Sequence, residues 1–301
     1  MEDYIVFSID SNKQTAKDFA KFWNCQLGKT TIKKFADGEM LVKISTDVKE
    51  KDVIVIESIA KRPNDHLMQI LMLLDSINRC EPRSVTLIIP YLGYSRQERV
   101  NYEFEPISAQ IIARAIETGH YDRLISLDLH HPVIEKFFTR GIKNVSTTKL
   151  FFNYYSNYLK EHGYNTSDVV VVSPDHGANI RSDSLAFQLR GAKKVICEKI
   201  RPEPDKVEHL ELSGDVKDKV CIIIDDIIST GNTIVSTAKL LKKAGAKAIL
   251  VGVTHGIFSS GALEALQSVG VEDIAVTNSI EQKLDGVKIL SIVQLLIENI
   301  E

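Results

Sequence analysis

Val220 to Thr233 reads V-C-I-I-I-D-D-I-I-S-T-G-N-T, an apolar, largely β-branched run that meets two adjacent acids and then a small, hydroxyl-rich turn. Val220 to Ile224 shows no polar alternation, the pattern of a parallel strand buried on both faces. Asp225 and Asp226 are therefore expected at the carboxyl end of that strand, where open α/β sheets bind ligands. Ile234, Val235, Ala238, Leu240 and Leu241 then recur at helical spacing up to Gly245. This puts Ser229, Thr230, Gly231, Asn232 and Thr233 just before a helix N-terminus, where unpaired N–H groups and the positive dipole end favour an anion.

The turn holds no Lys, so it differs from the G-x-x-x-x-G-K-[ST] loop that reaches the outer phosphates of a nucleotide. A neutral cradle suits a sugar monophosphate, and two carboxylates beside it are acceptors for vicinal hydroxyls. A pentose 5-phosphate meets both requirements. The plainer alternative is a buried strand ending in a solvated turn, with Asp-Asp acting only as a helix cap.

Outward from this segment, the chain resembles the ribose-phosphate diphosphokinase (phosphoribosyl diphosphate synthetase) family, whose fold is of the phosphoribosyltransferase type. The resemblance is carried by Val220–Thr233 and by Phe35-Ala36-Asp37-Gly38-Glu39, Pro90-Tyr91 through Ser95-Arg96-Gln97-Glu98-Arg99, and Glu105-Pro106-Ile107-Ser108-Ala109. Asp128-Leu129-His130, Ser173-Pro174-Asp175-His176-Gly177 and Glu198-Lys199-Ile200-Arg201 continue it in the family's order over nearly the whole chain. The resemblance implies transfer of a diphosphoryl group from ATP to ribose 5-phosphate, with Mg²⁺ as cofactor. It also implies a homo-oligomer whose active site is shared between subunits.

Composition fits that class. The chain has 301 residues, 44% hydrophobic and 26% charged, with a net charge of -3. Its length favours two domains, and the absence of a basic excess argues against nucleic acid as a partner. Met1-Glu2-Asp3-Tyr4 lacks the basic start of a secretory signal, and no apolar window approaches a membrane span. The four cysteines, Cys25, Cys80, Cys197 and Cys221, have neither metal spacing nor a disulfide pattern. A cytoplasmic enzyme with reduced thiols is expected.

An internal repeat sets the architecture. Val53–Ser58, a helix carrying Leu67, Ile70, Leu71, Leu74 and Ile77, and the strand Val85–Ile89 mirror Val220–Asp226, the helix ending at Ala244-Gly245, and Ala248–Val251. Each is a strand, helix, strand unit that makes a parallel pair through a right-handed crossover. The expected fold is α/β: two duplicated phosphoribosyltransferase-like domains, each a mainly parallel sheet flanked by helices. The expected domains are 1–145, with the ATP site and subunit contacts, and 146–301, with the ribose 5-phosphate site and the catalytic loop. The first copy's turn, Ala60 to Asp65, lacks T-G-x-T, so the cradle belongs to the second copy.

Four further clusters carry candidate chemistry. Lys199 and Arg201 precede Pro202-Glu203-Pro204-Asp205 in a stretch long enough to be a lid. Two cations there could stabilise transition-state charge on phosphates; read without the resemblance, they equally suit a solvated basic loop. The resemblance makes both catalytic and adds Arg201 to the ribose 5-phosphate site. Arg96, Gln97 and Arg99 offer donors for phosphate oxygens and a base edge, and the resemblance assigns them to ATP. Glu98 and Val100 depart from the family's usual Asp and basic residue.

Phe35, Asp37, Gly38 and Glu39 form a turn that could stack on a purine. Sequence alone reads Phe35 as a core plug, whereas the resemblance sends this turn to a neighbouring subunit's ATP. His130 and Asp175, each after a strand, are the metal ligands the resemblance implies. Mg²⁺ takes few protein ligands and several phosphate oxygens. A phosphoribosyltransferase that consumes phosphoribosyl diphosphate and a catalytically silent homologue are the competing functions.

Overall fold

A computed structural model describes residues 3–175, 177–200, 209–259 and 261–300, and Arg201 lies outside them. The chain divides into two compact units. One comprises residues 1–145, 278–282 and 291–301; the other comprises 146–277 and 283–290.

The first unit opens with β1 (Tyr4–Phe7) and α1 (Lys13–Trp23). Ala16, Phe19, Ala20 and Trp23 recur at three- and four-residue intervals in α1, which is why one face is apolar and buried. Next come β2 (Gln26–Leu27), the hairpin of β3 (Thr30–Lys34) and β4 (Met40–Ile44), β5 (Asp52–Ile56), and α2 (Pro63–Asn78) with proline at its first position. β6 (Ser84–Ile89), α3 (Ser108–Glu117), β7 (Arg123–Leu127), a 3₁₀ helix at Pro132–Phe137 and β8 (Lys143–Val145) complete the run. The sequence suggests a helix around Ile134 and Phe137; this segment is a six-residue 3₁₀ helix opened by proline.

The six-stranded sheet of this unit has order β2-β1-β5-β6-β7-β8, and every pairing is parallel. Just past β5, Glu57 is fully buried. Its carboxylate accepts from Ser8 Oγ and Ile9 N at 2.9 Å and from Ser11 N at 2.7 Å. The loop after β1 thus closes on a side chain from the neighbouring strand.

The second unit contains α4 (Thr148–Glu161), β9 (Val169–Ser173), α5 (Asn179–Gln188), β10 (Lys193–Ile200) and β11 (His209–Leu212). β12 (Val220–Ile228), α6 (Asn232–Lys243), β13 (Ala248–Gly256), α7 (Ala262–Ser268), β14 (Asp273–Thr277) and β15 (Lys288–Leu290) follow. Its order is β11-β10-β9-β12-β13-β14-β15, parallel except for β11. Without β11, the sequence of positions is the same as in the first sheet, as the internal repeat requires.

The absence of alternation in β12 has a direct cause. Cys221 and Ile223 pack on one side with Ile234, Ala238 and Leu241 of α6 and Leu266 of α7. Val220, Ile222 and Ile224 pack on the other with Phe151, Tyr155 and Leu159 of α4 and Leu185 of α5. Both faces bury apolar side chains, each contributing about 1.5–3 kcal/mol, so no position calls for a polar residue.

The continuous second domain 146–301 expected from the sequence differs from these units at its far end. Residues 278–282 and 291–301 belong to the first unit. Asn12 Nδ2 and Ser58 Oγ donate to the carbonyl of Ser279 at 3.2 and 2.6 Å. The last helix, α8 (Val293–Ile300), buries Val293, Leu295, Leu296 and Ile300, and Lys143 Nζ donates to Asn299 O at 2.8 Å. These polar and apolar groups find their partners in the first unit, so the chain returns to it.

No helix of the described residues is long and apolar enough to cross a membrane.

Candidate active site

β12 places the two acids. It pairs with β9 only from Val220 to Ile223, but with β13 as far as Ile228. Asp225 and Asp226 consequently lie within β12, beyond the end of β9, whereas the sequence suggests that the strand stops at them. Both are buried, at 9% and 5% exposure. Asp226 N donates to Asp225 Oδ1 at 2.9 Å.

The two carboxyls are not equivalent. Burial first, and then the charges of Asp226 and Asp175, push the Asp225 carboxyl well above the usual carboxylate range. Arg181 Nη1, from the first turn of α5, stands 3.8 Å from Asp226 Oδ1, with side chains 13% and 7% exposed. Asp226 has a cation beside it, and Asp225 is driven toward its neutral form. Arg181 did not figure among the sequence candidates; an arginine in the first turn of a helix, where the dipole disfavours it, was the available signal.

The turn after β12 supplies the cradle. Gly231 takes φ +76° and precedes α6, whose N-terminus has no side-chain cap among the described residues. The first N–H groups of a helix have no partner within the helix itself. Thr230, Asn232 and Thr233 are exposed, and Ser229 Oγ lies 3.1 Å from Ser259 Oγ. Asn232 and Thr233 belong to the first turn of α6 and do not precede it, as the sequence suggests.

At the end of β9, Asp175 is exposed and its Oδ1 accepts from Ala178 N at 3.1 Å, closing the loop into α5. Lys199 belongs to the end of β10, where it stands opposite Leu210 of β11. The sequence expectation was a loop beginning before it; the antiparallel pairing with β11 extends the strand. The Arg201 assignment falls outside the described residues.

In the first unit, Phe35 to Glu39 form the tip of the β3–β4 hairpin. Phe35 N donates to Glu39 O at 2.9 Å, Gly38 N to Phe35 O at 3.1 Å, and Glu39 N to Asp37 Oδ1 at 3.1 Å. Gly38 takes φ +94°, which the tight tip requires. Phe35 is 41% exposed, so it is not the core plug that sequence alone suggests, and Lys33 Nζ stands 4.9 Å from its ring centroid.

Arg96, Gln97 and Arg99 follow β6, and all three are exposed. Gln97 anchors this loop: its carbonyl accepts from Ala109 N at 3.2 Å, and its side chain accepts from Ser108 Oγ. Arg99 Nε donates to Asn101 Oδ1 at 3.2 Å and lies 3.6 Å from Glu98 Oε1. Beyond β7, Asp128 takes φ +37° and Leu129 N donates to Asn144 Oδ1 at 3.0 Å. His131 Nδ1 accepts from Val133 N at 3.1 Å and so caps the 3₁₀ helix, while His130 beside it is partly buried.

The sheet order and the strand-end acids define the phosphoribosyltransferase-type α/β class. Residues 4–119 match the family described as the N-terminal domain of ribose phosphate pyrophosphokinase, and residues 198–301 match the phosphoribosyl synthetase-associated domain. The chain is 37% identical over 299 residues to a ribose-phosphate pyrophosphokinase of Bacillus caldolyticus, covering 98% of this chain and 93% of that one. It is 36% identical over 299 residues to that of Bacillus subtilis (strain 168), covering 98% and 92%. The crystal structure of phosphoribosylpyrophosphate synthetase from Mycobacterium smegmatis superposes with a TM-score of 0.90 at 31% identity, covering 99% and 98% of the two chains. The chain belongs to the ribose-phosphate pyrophosphokinase family.

Proposed function

We infer that the chain transfers the diphosphoryl group of ATP to the 1-hydroxyl of ribose 5-phosphate, giving 5-phosphoribosyl 1-diphosphate and AMP. The observation that carries this reading is the placement of Asp225 and Asp226 past the end of β9, directly before the Gly231 cradle, in a chain of this family. Asp226 accepts from a ribose hydroxyl. Asp225, whose carboxyl is raised by burial and by the neighbouring acids, completes the hold on the ribose hydroxyls. Ser229, Thr230, Gly231, Asn232 and Thr233 hold the 5-phosphate through backbone N–H groups and hydroxyls.

The 1-hydroxyl oxygen forms a bond to the β-phosphorus, the bond from that phosphorus to the α-phosphate oxygen breaks, AMP departs, and the hydroxyl proton passes to solvent. Lys199 and Arg201, with Arg96, stabilise charge on the β-phosphoryl oxygens and the leaving group by position rather than covalent chemistry. Arg99 and Gln97 complete the triphosphate and adenine contacts. Phe35, Asp37, Gly38 and Glu39 of a second subunit cover the adenine, which makes the enzyme an obligate homo-oligomer.

Magnesium is the metal this donor set suits. Asp175 is exposed at the end of β9 and offers hard carboxylate oxygens, the kind of ligand Mg²⁺ takes together with substrate phosphate and water. His130 and Asp175 are the ligands proposed, and the ion would supply positive charge to the substrate phosphates. The reaction belongs to the cytoplasm, where ATP and reduced thiols coexist.

Incubation with ATP, Mg²⁺ and ribose 5-phosphate, followed by phosphorus NMR, tests the reading. Stoichiometric AMP and phosphoribosyl diphosphate are expected, with none formed when ribose 5-phosphate is omitted. Release of ADP or orthophosphate as the main product would overturn it, as would turnover of phosphoribosyl diphosphate with a free base in place of this reaction.

A further inference from the structure

Arg181 occupies a costly place. It is the third residue of α5, at the end of the helix where the dipole repels a cation, and its side chain is only 13% exposed. Desolvating a guanidinium is unfavourable unless a buried acid compensates. The acid is Asp226, 3.8 Å away and 7% exposed. Both partners ride on fixed elements. Ser182 Oγ donates to Ala178 O at 3.0 Å, Asp175 Oδ1 accepts from Ala178 N at 3.1 Å, and Leu185 is fully buried, so the first turn of α5 is tied to the sheet. Asp226 is held in β12.

We propose that Arg181 is a positioning residue for ribose 5-phosphate: its guanidinium fixes the Asp226 carboxylate, in place and in charge, as the acceptor for the ribose hydroxyls. This rests on the reading that Asp226 is a ribose ligand. The geometry gives the pair its role: a guanidinium and a carboxylate, 13% and 7% exposed, stand 3.8 Å apart at the strand end that precedes the cradle. A planar fork of donors holds a carboxylate's orientation as well as its charge, which an ammonium does less well. Arg181 acts through Asp226 and does not touch the transferred group.

A double-mutant cycle on the full-length enzyme tests the proposal. Arg181→Met and Asp226→Asn are each expected to raise KM for ribose 5-phosphate about tenfold or more, the usual scale for a hydrogen bond to a charged group, with KM for ATP unchanged. The double variant should be no worse than the poorer single variant, because one change already removes what the other disturbs. Arg181→Lys should recover part of the loss, and it keeps the cycle readable if Arg181→Met lowers the melting temperature. Multiplicative losses in the double variant, or an Arg181→Met effect confined to kcat or to ATP, would overturn the positioning role. An unchanged KM for ribose 5-phosphate in Asp226→Asn would instead remove the ribose assignment beneath it, and the two failures are told apart by that single variant.

Discussion

Asp226 donates its backbone N–H to the carboxyl of Asp225 at 2.9 Å at a buried strand end, where burial and the neighbouring acids push the Asp225 carboxyl up. An unfolded aspartate titrates near 3.9, and the folded value of Asp225 is raised. Between those values the folded chain binds the extra proton, so stability falls as pH rises. Asp225→Asn should therefore raise the melting temperature of the ligand-free protein at pH 7.5, and the gain should shrink as pH falls toward 4. Melting curves across that window check it; a gain independent of pH would contradict the assignment.

Lys199→Ala should lower kcat at least about a hundredfold with little change in KM for ribose 5-phosphate, because its charge matters mainly in the transition state. Steady-state kinetics with either substrate varied supplies the comparison. Wild-type kcat in the variant would remove Lys199 from the chemistry.

Phe35, 41% exposed at a hairpin tip, and Lys199 should belong to sites completed by different chains. Phe35→Ala and Lys199→Ala proteins, each inactive alone, are expected to regain about a quarter of wild-type activity when unfolded and refolded together as random dimers. Native mass spectrometry establishes that mixed oligomers formed. No recovery in their presence would show that each site lies within a single chain.

Glu57 should be a stability residue of unusual specificity. Its two oxygens accept from Ser8, Ile9 and Ser11. Glu57→Gln turns an amide NH₂ toward donors, and Glu57→Ala leaves them buried without a partner at about 1–3 kcal/mol each. Both variants should lower the urea midpoint, with Glu57→Asp, too short to reach, no better than Ala. An unchanged midpoint in Glu57→Gln would mean that the nest tolerates a donor.

Much of this was legible from residues alone. Val220–Ile224 announced a strand buried on two faces because both faces of β12 meet helices, and the internal repeat foretold two sheets of one strand order. The two acids were expected where that strand ends, and they lie within it, beyond the end of β9. Three things were hidden. Where β12 stops depends on how far β13 accompanies it, and that is set by a segment more than twenty residues away. The return of 278–282 and 291–301 to the first unit depends on hydrogen bonds to Asn12 and Ser58, which no local pattern encodes. The Arg181–Asp226 pair joins a helix to a strand that lie far apart in the sequence, so only three-dimensional proximity reveals it.

Glu57 and Asp225 hold the same place in their two sheets, each the fifth residue past the strand's first parallel rung, Asp52 opposite Tyr4 and Val220 opposite Val169. They differ by one methylene. The longer acid reaches across to the adjoining loop and accepts from Ser8, Ile9 and Ser11, whereas the shorter one accepts from the backbone N–H of its own neighbour, Asp226. A single added carbon thus fills with the protein's own loop, in the first sheet, the strand end that the proposed function gives to the ribose in the second.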